Sequence, residues 1–353
     1  MNQQDQTNFA IRVVAAACAV LISSTAMAAT EISMYGIADV YMAVQKGDRT
    51  EVAVDSGGIQ GSRLGFKASH DIATGLKAIA KLEAGIGIDQ GSSTQGGRTW
   101  GRQAYAGLTG DSFGTLTIGR QYTPTFNAID NDDPFETGAG SVQSSGIITT
   151  TGGTRANNSI NWESPTFSNI TFDLMYAAGE TAKPNSNSDA SFIGAGARYS
   201  AGPAALGLVY GHQNRQDNTQ ISTSSLLLEG SYDFGTFSLS GGAQAVRNAT
   251  QVANVSDNRA EYYAGVHIPV AGDQVWAGAG TGKYNGVSNT RATQFSLAYL
   301  HFLDKSTTIY GVLTSISNGS NVAYTTDTAT GSGPAVSAGK DPTALEVGFR
   351  YKF

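Results

Sequence analysis

The chain is poor in cysteine, charge and long apolar runs, and each shortage removes a class of protein. One cysteine occurs in 353 residues, Cys18, close to the N-terminus. A disulfide scaffold and cysteine-based metal or redox chemistry are therefore excluded. Charged residues make up 14%, against the quarter typical of soluble domains. Mean hydropathy is nevertheless slightly negative, at -0.17. After Ala29 no apolar run approaches the ~20 residues of a membrane-spanning helix, so a membrane location requires a barrel. Histidine is scarce, and His70, His212, His267 and His301 sit in no serine or acid pattern that suggests a triad. The glycines are scattered over strand and turn positions and form no phosphate loop. The expectation is a protein that is not an enzyme and needs no cofactor. A net charge of -6 leaves no basic footprint for nucleic acid.

In place of the missing charge stand 44 glycines, many Ser, Thr and Asn, 15 tyrosines and 14 phenylalanines. Such a composition suits a wall with one apolar and one polar face. Alternation carries the same message. Leu345, Val347, Phe349, Tyr351 and Phe353 fall on one face, with Glu346, Gly348, Arg350 and Lys352 on the other. The sets Ile170/Phe172/Leu174/Tyr176, Leu206/Leu208/Tyr210 and Leu226/Leu228/Tyr232 repeat the pattern. Period two sustained over about ten residues is the length of a tilted strand crossing a membrane, longer than the five or six of a soluble sandwich.

Short links at 72–75, 111–114, 164–169, 201–203, 233–235, 270–273 and 303–306 alternate with longer polar ones. The longer links fall at 46–58, 91–98, 123–155, 180–189, 215–222, 249–257, 286–290 and 319–341. Short periplasmic turns and long outer loops give this asymmetry and put both termini in the periplasm. The expected fold is all-β, a transmembrane antiparallel β-barrel of about sixteen strands. Eighteen is the alternative if 123–155 or 319–341 hides a hairpin. Tyr35, Tyr105, Tyr122, Trp162, Tyr199, Tyr232, Tyr299 and Tyr351 lie near strand ends and are expected in interfacial girdles.

Residues 1–28 form an expected signal peptide. Arg12 precedes the apolar run from Val13 to Ile22, and Ala26-Met27-Ala28 supplies a cleavage pattern before Ala29. Residues 29–353 are then the barrel.

Several stretches carry a family resemblance. They include Met34-Tyr35-Gly36-Ile37-Ala38-Asp39, Gly61-Ser62-Arg63-Leu64-Gly65-Phe66-Lys67 and Gly101-Arg102-Gln103-Ala104-Tyr105-Ala106-Gly107-Leu108. Asn158-Ser159-Ile160-Asn161-Trp162 and the ending Val347-Gly348-Phe349-Arg350-Tyr351-Lys352-Phe353 continue it to the last residue. On these the sequence resembles the trimeric general porins of Gram-negative outer membranes, particularly the beta-proteobacterial group. His70 and Asp304-Lys305-Ser306-Thr307 depart from the usual pattern. The resemblance implies a homotrimer and a third loop, here 123–155, folded inward as an eyelet. It also implies that Phe353 is a signal for the outer-membrane assembly machinery. The outer face would meet membrane lipid and lipopolysaccharide.

A link of about 33 residues is itself unusual unless functional. It carries Asp130, Asp132, Asp133 and Glu136, expected as the acidic side of the constriction. Arg63, Arg102 and Arg155 are expected as the basic side, with Lys81 nearby, as the resemblance implies. Asp130-Asn131-Asp132-Asp133 lacks the spacing and glycine of a calcium loop, so no metal is expected. A transverse field across this gap would sort small hydrophilic solutes and ions. A substrate-specific porin and a plugged adhesin or receptor are the alternatives, and the sign of selectivity stays open.

Overall fold

The computed structural model describes residues 30–179, 190–214, 221–249, 257–326 and 333–353. The expected signal segment and most of the links at 180–189, 215–222 and 249–257 lie outside the described residues.

The strands are β1 (Thr30–Lys46), β2 (Thr50–Ser56), β3 (Arg63–Ala73), β4 (Leu76–Gly87), β5 (Ser92–Ser93) and β6 (Gln103–Gly110). They continue with β7 (Gly114–Tyr122), β8 (Arg155–Glu163), β9 (Ile170–Ala177), β10 (Phe192–Ala201), β11 (Ala204–Gln213) and β12 (Thr223–Asp233). Then come β13 (Ser238–Arg247), β14 (Arg259–Val270), β15 (Asp273–Tyr284), β16 (Ala292–Phe302), β17 (Thr307–Asn318) and β18 (Thr343–Lys352). Every pairing is antiparallel between neighbours, and β1 against β18 closes the sheet into a barrel.

Eighteen segments make sixteen staves. The lower half of β1 pairs with β3 and its upper half with β2, so β2 and β3 are one stave broken at 57–62. In the same way β5 and β6 share the edge of β4. Neither 123–155 nor the described part of 319–341 adds a strand. The link expected over 46–58 is corrected: only 47–49 turn, and Thr50–Ser56 is strand.

The apolar set of each stave faces outward. Leu345, Val347, Phe349, Tyr351 and Phe353 are all exposed, as are Leu206, Leu208 and Tyr210. In a bilayer this face is covered by lipid, and the closed ladder pairs the backbone polar groups of neighbouring strands with one another. The girdle is partly as expected. Tyr199, Tyr232, Tyr299 and Tyr351 are exposed at the short-turn ends. Tyr35, Tyr105 and Tyr122 instead face the lumen, on the strand parity of the inward-pointing Lys81 and Arg155. Phe353 seals the closing seam: its N–H and C=O pair with Gly36, where a side chain would collide with its ring.

The inward face is not uniformly polar. The 123–155 link enters the barrel and carries one helix, α1 (Pro124–Asp132). Thr123 caps it, its hydroxyl accepting from the Phe126 N–H at 3.2 Å, and Pro124 occupies the first turn, where no N–H is needed. Ala128 and Ile129 pack with Val142, Ile147 and Ile148 of the same link against Val209, Leu227 and Tyr263 of the wall. A second core joins Phe135 and Ala139 to Ile59, Trp276, Tyr310 and Val312. The lumen is thus part filled by a core of its own.

Candidate functional site

What remains open is a cavity of about 750 Å³, with Arg63, Arg102 and Arg155 among its wall residues and Asp130 and Glu136 on the inserted link. Local structure explains each placement.

Arg63 follows the break in the β2–β3 stave. Buried Asp39 holds that break, accepting from the Gly58 N–H at 3.1 Å, the Gln60 N–H at 3.0 Å and the Tyr310 hydroxyl at 2.6 Å. The Ser62 hydroxyl donates to the Asp39 carbonyl at 2.8 Å and accepts from its N–H at 3.0 Å. The chain is thereby turned into the lumen, and Arg63 is steadied by donating to the Gly61 carbonyl at 2.8 Å.

Arg102 and Arg155 meet at Tyr122. Their guanidiniums donate to its hydroxyl at 2.5 and 3.0 Å, and Arg155 lies 4.6 Å from the ring centroid. Tyr122 also stacks on Phe126 of α1 at 4.8 Å, so one ring couples the basic wall to the inserted helix. Behind Arg102, Glu83 accepts from its Nε at 2.8 Å and is itself buried. Lys81 stands 3.6 Å from Glu83, and its side chain is mostly buried.

The four acids divide into two roles. Asp130 faces the cavity and accepts from the Thr137 hydroxyl at 2.6 Å. Removal of water around it is the main cause that lifts its carboxyl above the ordinary range. Glu136 accepts from Gln60 Nε2 at 3.0 Å. Asp132 departs from expectation, because its carboxylate is buried on the other side of α1 against the barrel wall. Arg198 of β10 grips it at 2.7 and 3.2 Å and reaches Glu229 of β12 at 2.7 Å. Asp133 borders the cavity but is buried and serves as scaffold. It accepts from the N–H of Phe135 at 3.0 Å, the N–H of Thr137 at 3.3 Å and the Ser141 hydroxyl. Burial pushes it up to about 6 against those three bonds. Its grip is needed: Glu136 and Thr137 have φ of 50 and 55°, left-handed values that non-glycine residues adopt at a cost of about 1 kcal/mol each.

The rest of the link is tied to the far wall. Glu261 accepts from the Thr149 N–H at 2.8 Å and its hydroxyl at 2.6 Å. Arg259 donates to the Ile147 carbonyl at 2.8 Å, Gln294 to that of Gly140 at 2.7 Å, and His267 meets the Pro134 carbonyl at 2.5 Å. Arg198, Glu229, Tyr122 and Asp39 join the site beyond the residues expected from the sequence. Parity around Tyr199 and Leu228 was the available signal for the first two.

Comparison with known proteins agrees with this architecture. A family description, Gram-negative porin, matches residues 14–321. Outer membrane porin protein 32 of Delftia acidovorans is 29% identical over 355 residues, spanning 96% of this chain and 98% of that protein. The anion-selective porin from Comamonas acidovorans superposes with a TM-score of 0.81 at 26% identity, over 92% of this chain and 100% of that one. OmpT of Vibrio cholerae in its trimer form gives a TM-score of 0.67 at 16% identity, over 92% and 100%, and shows the fold alone. A closed sixteen-stave barrel with an inserted third loop, matched along nearly its whole length, makes this chain a member of the Gram-negative porin family, an outer-membrane channel for passive diffusion of small hydrophilic solutes.

Proposed function

We propose that the channel is constricted between Arg63, Arg102 and Arg155 on the wall and Asp130 and Glu136 on the inserted link, and that this constriction favours anions. The carrying observation is the unequal state of the two sides. Three guanidiniums line the cavity wall, whereas of the four acids in the link Asp132 is held by Arg198 and Asp133 by two backbone N–H groups and Ser141, which leaves Asp130 and Glu136 opposite. Three guanidiniums facing two carboxylates, with Glu83 buried behind Arg102, favour a positive potential in the narrow water-filled gap, and low-dielectric walls focus it. The likeness to a solved anion-selective porin supports the same sign. Solutes pass down their gradients by size and charge, with no bond made or broken.

The experiment is the reversal potential of refolded protein in a KCl gradient across a planar bilayer. The parent is expected on the anion side, and Arg63→Ser with Arg102→Ser moves it toward cations. An unchanged reversal potential overturns the assignment. Arg155→Ser, which leaves Glu83 with its arginine, shifts it less.

The same proposal includes a signal segment removed before Ala29 and assembly as a homotrimer. Supporting the trimer, Ile32, Ala68, Ala80, Ala106 and Ile118 follow one another in register across five neighbouring strands on the outward face. So low a stripe suits close approach of a second copy. The remaining outward wall would meet lipid and lipopolysaccharide, and Phe353 would be read by the assembly machinery.

A further inference from the structure

We propose that Lys67 and Lys81, gathered over the ring of Tyr35 on the periplasmic side of the constriction, form a second anion subsite for small divalent oxyanions of the phosphate class. The inference rests on the arginine wall being an anion path and adds a station to it.

Lys67 and Lys81 are direct partners in the β3–β4 register and project to the same side. Like charges placed opposite each other on neighbouring strands are destabilising, so the pair needs a reason. Both ammoniums lie over the ring of Tyr35, 4.9 and 5.7 Å from its centroid. That platform is built: the hydroxyl end of the ring sits over Gly65, where a Cβ would come within 2.3 Å of it. Its hydroxyl is fixed by donating to Glu83 Oε2 at 2.6 Å.

Among the described residues one carboxylate makes an ion pair with this group, and it is already engaged. Glu83 takes the Tyr35 hydroxyl and Arg102 at 2.8 Å, leaving Lys81 the loose distance of 3.6 Å. Lys67 is exposed and makes no ion pair among the described residues. Lys67 is exposed and Lys81 partly so, both keep spare donors beside the same ring, and a tetrahedral oxyanion can accept from both. Lys67 follows Arg63 by four residues, about 13 Å along the strand toward the 74–75 turn. An anion leaving the arginines therefore meets the lysines before the exit.

The test is block of KCl current by inorganic phosphate added to one side at a time. Orientation is assigned from the accessibility of a cysteine at Val287→Cys in an outer link. The parent should be blocked saturably and at lower concentration from the short-turn side. Lys67→Gln with Lys81→Gln should raise that half-blocking concentration at least tenfold, while the reversal potential stays on the anion side. Lys67→Arg should keep the block, and Lys67→Gln alone, at an exposed position, carries the test if the double variant fails to fold. A parent reversing on the cation side removes the arginine reading and the subsite with it. An anion-preferring parent whose phosphate block survives both lysine changes, or is equal from the two sides, removes the subsite alone.

Discussion

Replacing Arg198 by leucine should loosen the constriction without opening the barrel. Arg198 is the cation between Asp132 on α1 and Glu229 on the wall, whose side chains are 0% and 1% exposed. Removing one partner of a buried pair leaves an uncompensated charge and costs about 3 kcal/mol, the low end of the range because the arginine side chain itself is 24% exposed. Here the burden is two facing carboxylates. About 3 kcal/mol is roughly a hundredfold in the balance between docked and undocked helix. The strand ladder is untouched, and the link keeps its anchors at Glu261, Arg259, Gln294 and His267. The expected phenotype of Arg198→Leu is therefore a folded channel with flickering, noisier single-channel current. Asp132→Asn should cost about 1 kcal/mol, because Arg198 keeps Glu229. Adding Asp132→Asn to Arg198→Leu should recover part of the quiet. An Arg198→Leu channel as quiet as the parent, or one no noisier than Asp132→Asn, would refute the reasoning.

The carboxyl of Asp133 stands at about 6 in the folded protein, against about 4 in an unfolded chain. The folded state then holds this proton more tightly, so its contribution to stability falls as pH rises from about 4 to 6 and is flat above. Asp133→Asn should remove about 3 kcal/mol of that dependence, visible as a flatter Tm against pH in detergent; the parent slope in the variant would count against it. Gly265 faces the tip of the link, where a Cβ would lie 2.4 Å from Pro134. Gly265→Ala should cost about 1–3 kcal/mol and push the tip into the lumen, lowering conductance; an unaltered step size would show that the wall gives way instead.

The barrel was legible because the membrane imposes a period of two over the whole length of a stave, and the short and long links alternate with it. The error at 46–58 has a local cause. Glu51 and Asp55 within five residues, followed by Gly57 and Gly58, resemble loop chemistry, although Val52 and Val54 alternate correctly and are exposed on the outer face. The division among the four acids has a different cause. Asp130, Asp132, Asp133 and Glu136 are equivalent in a structureless link, but not once Thr123 and Pro124 start a helix. Residues two apart on a helix point about 200° apart, so Asp130 and Asp132 cannot both face the pore.

The inward face, expected to be polar, is not lined by solvent throughout. Where the link docks, wall strands break their alternation: Leu227 lies between Leu226 and Leu228, Val209 between Leu208 and Tyr210, and Tyr263 beside Tyr262. In each case the middle or second residue is buried inside the barrel while its neighbour faces outward. A run of apolar residues in a strand that otherwise alternates has no use for water on its inner side. It marks the patch on which an inserted loop rests. Three such breaks on β11, β12 and β14 would have placed α1 against that wall from sequence alone. The opposite wall, which carries Arg63, Arg102 and Arg155, would then be the side left open to the solute.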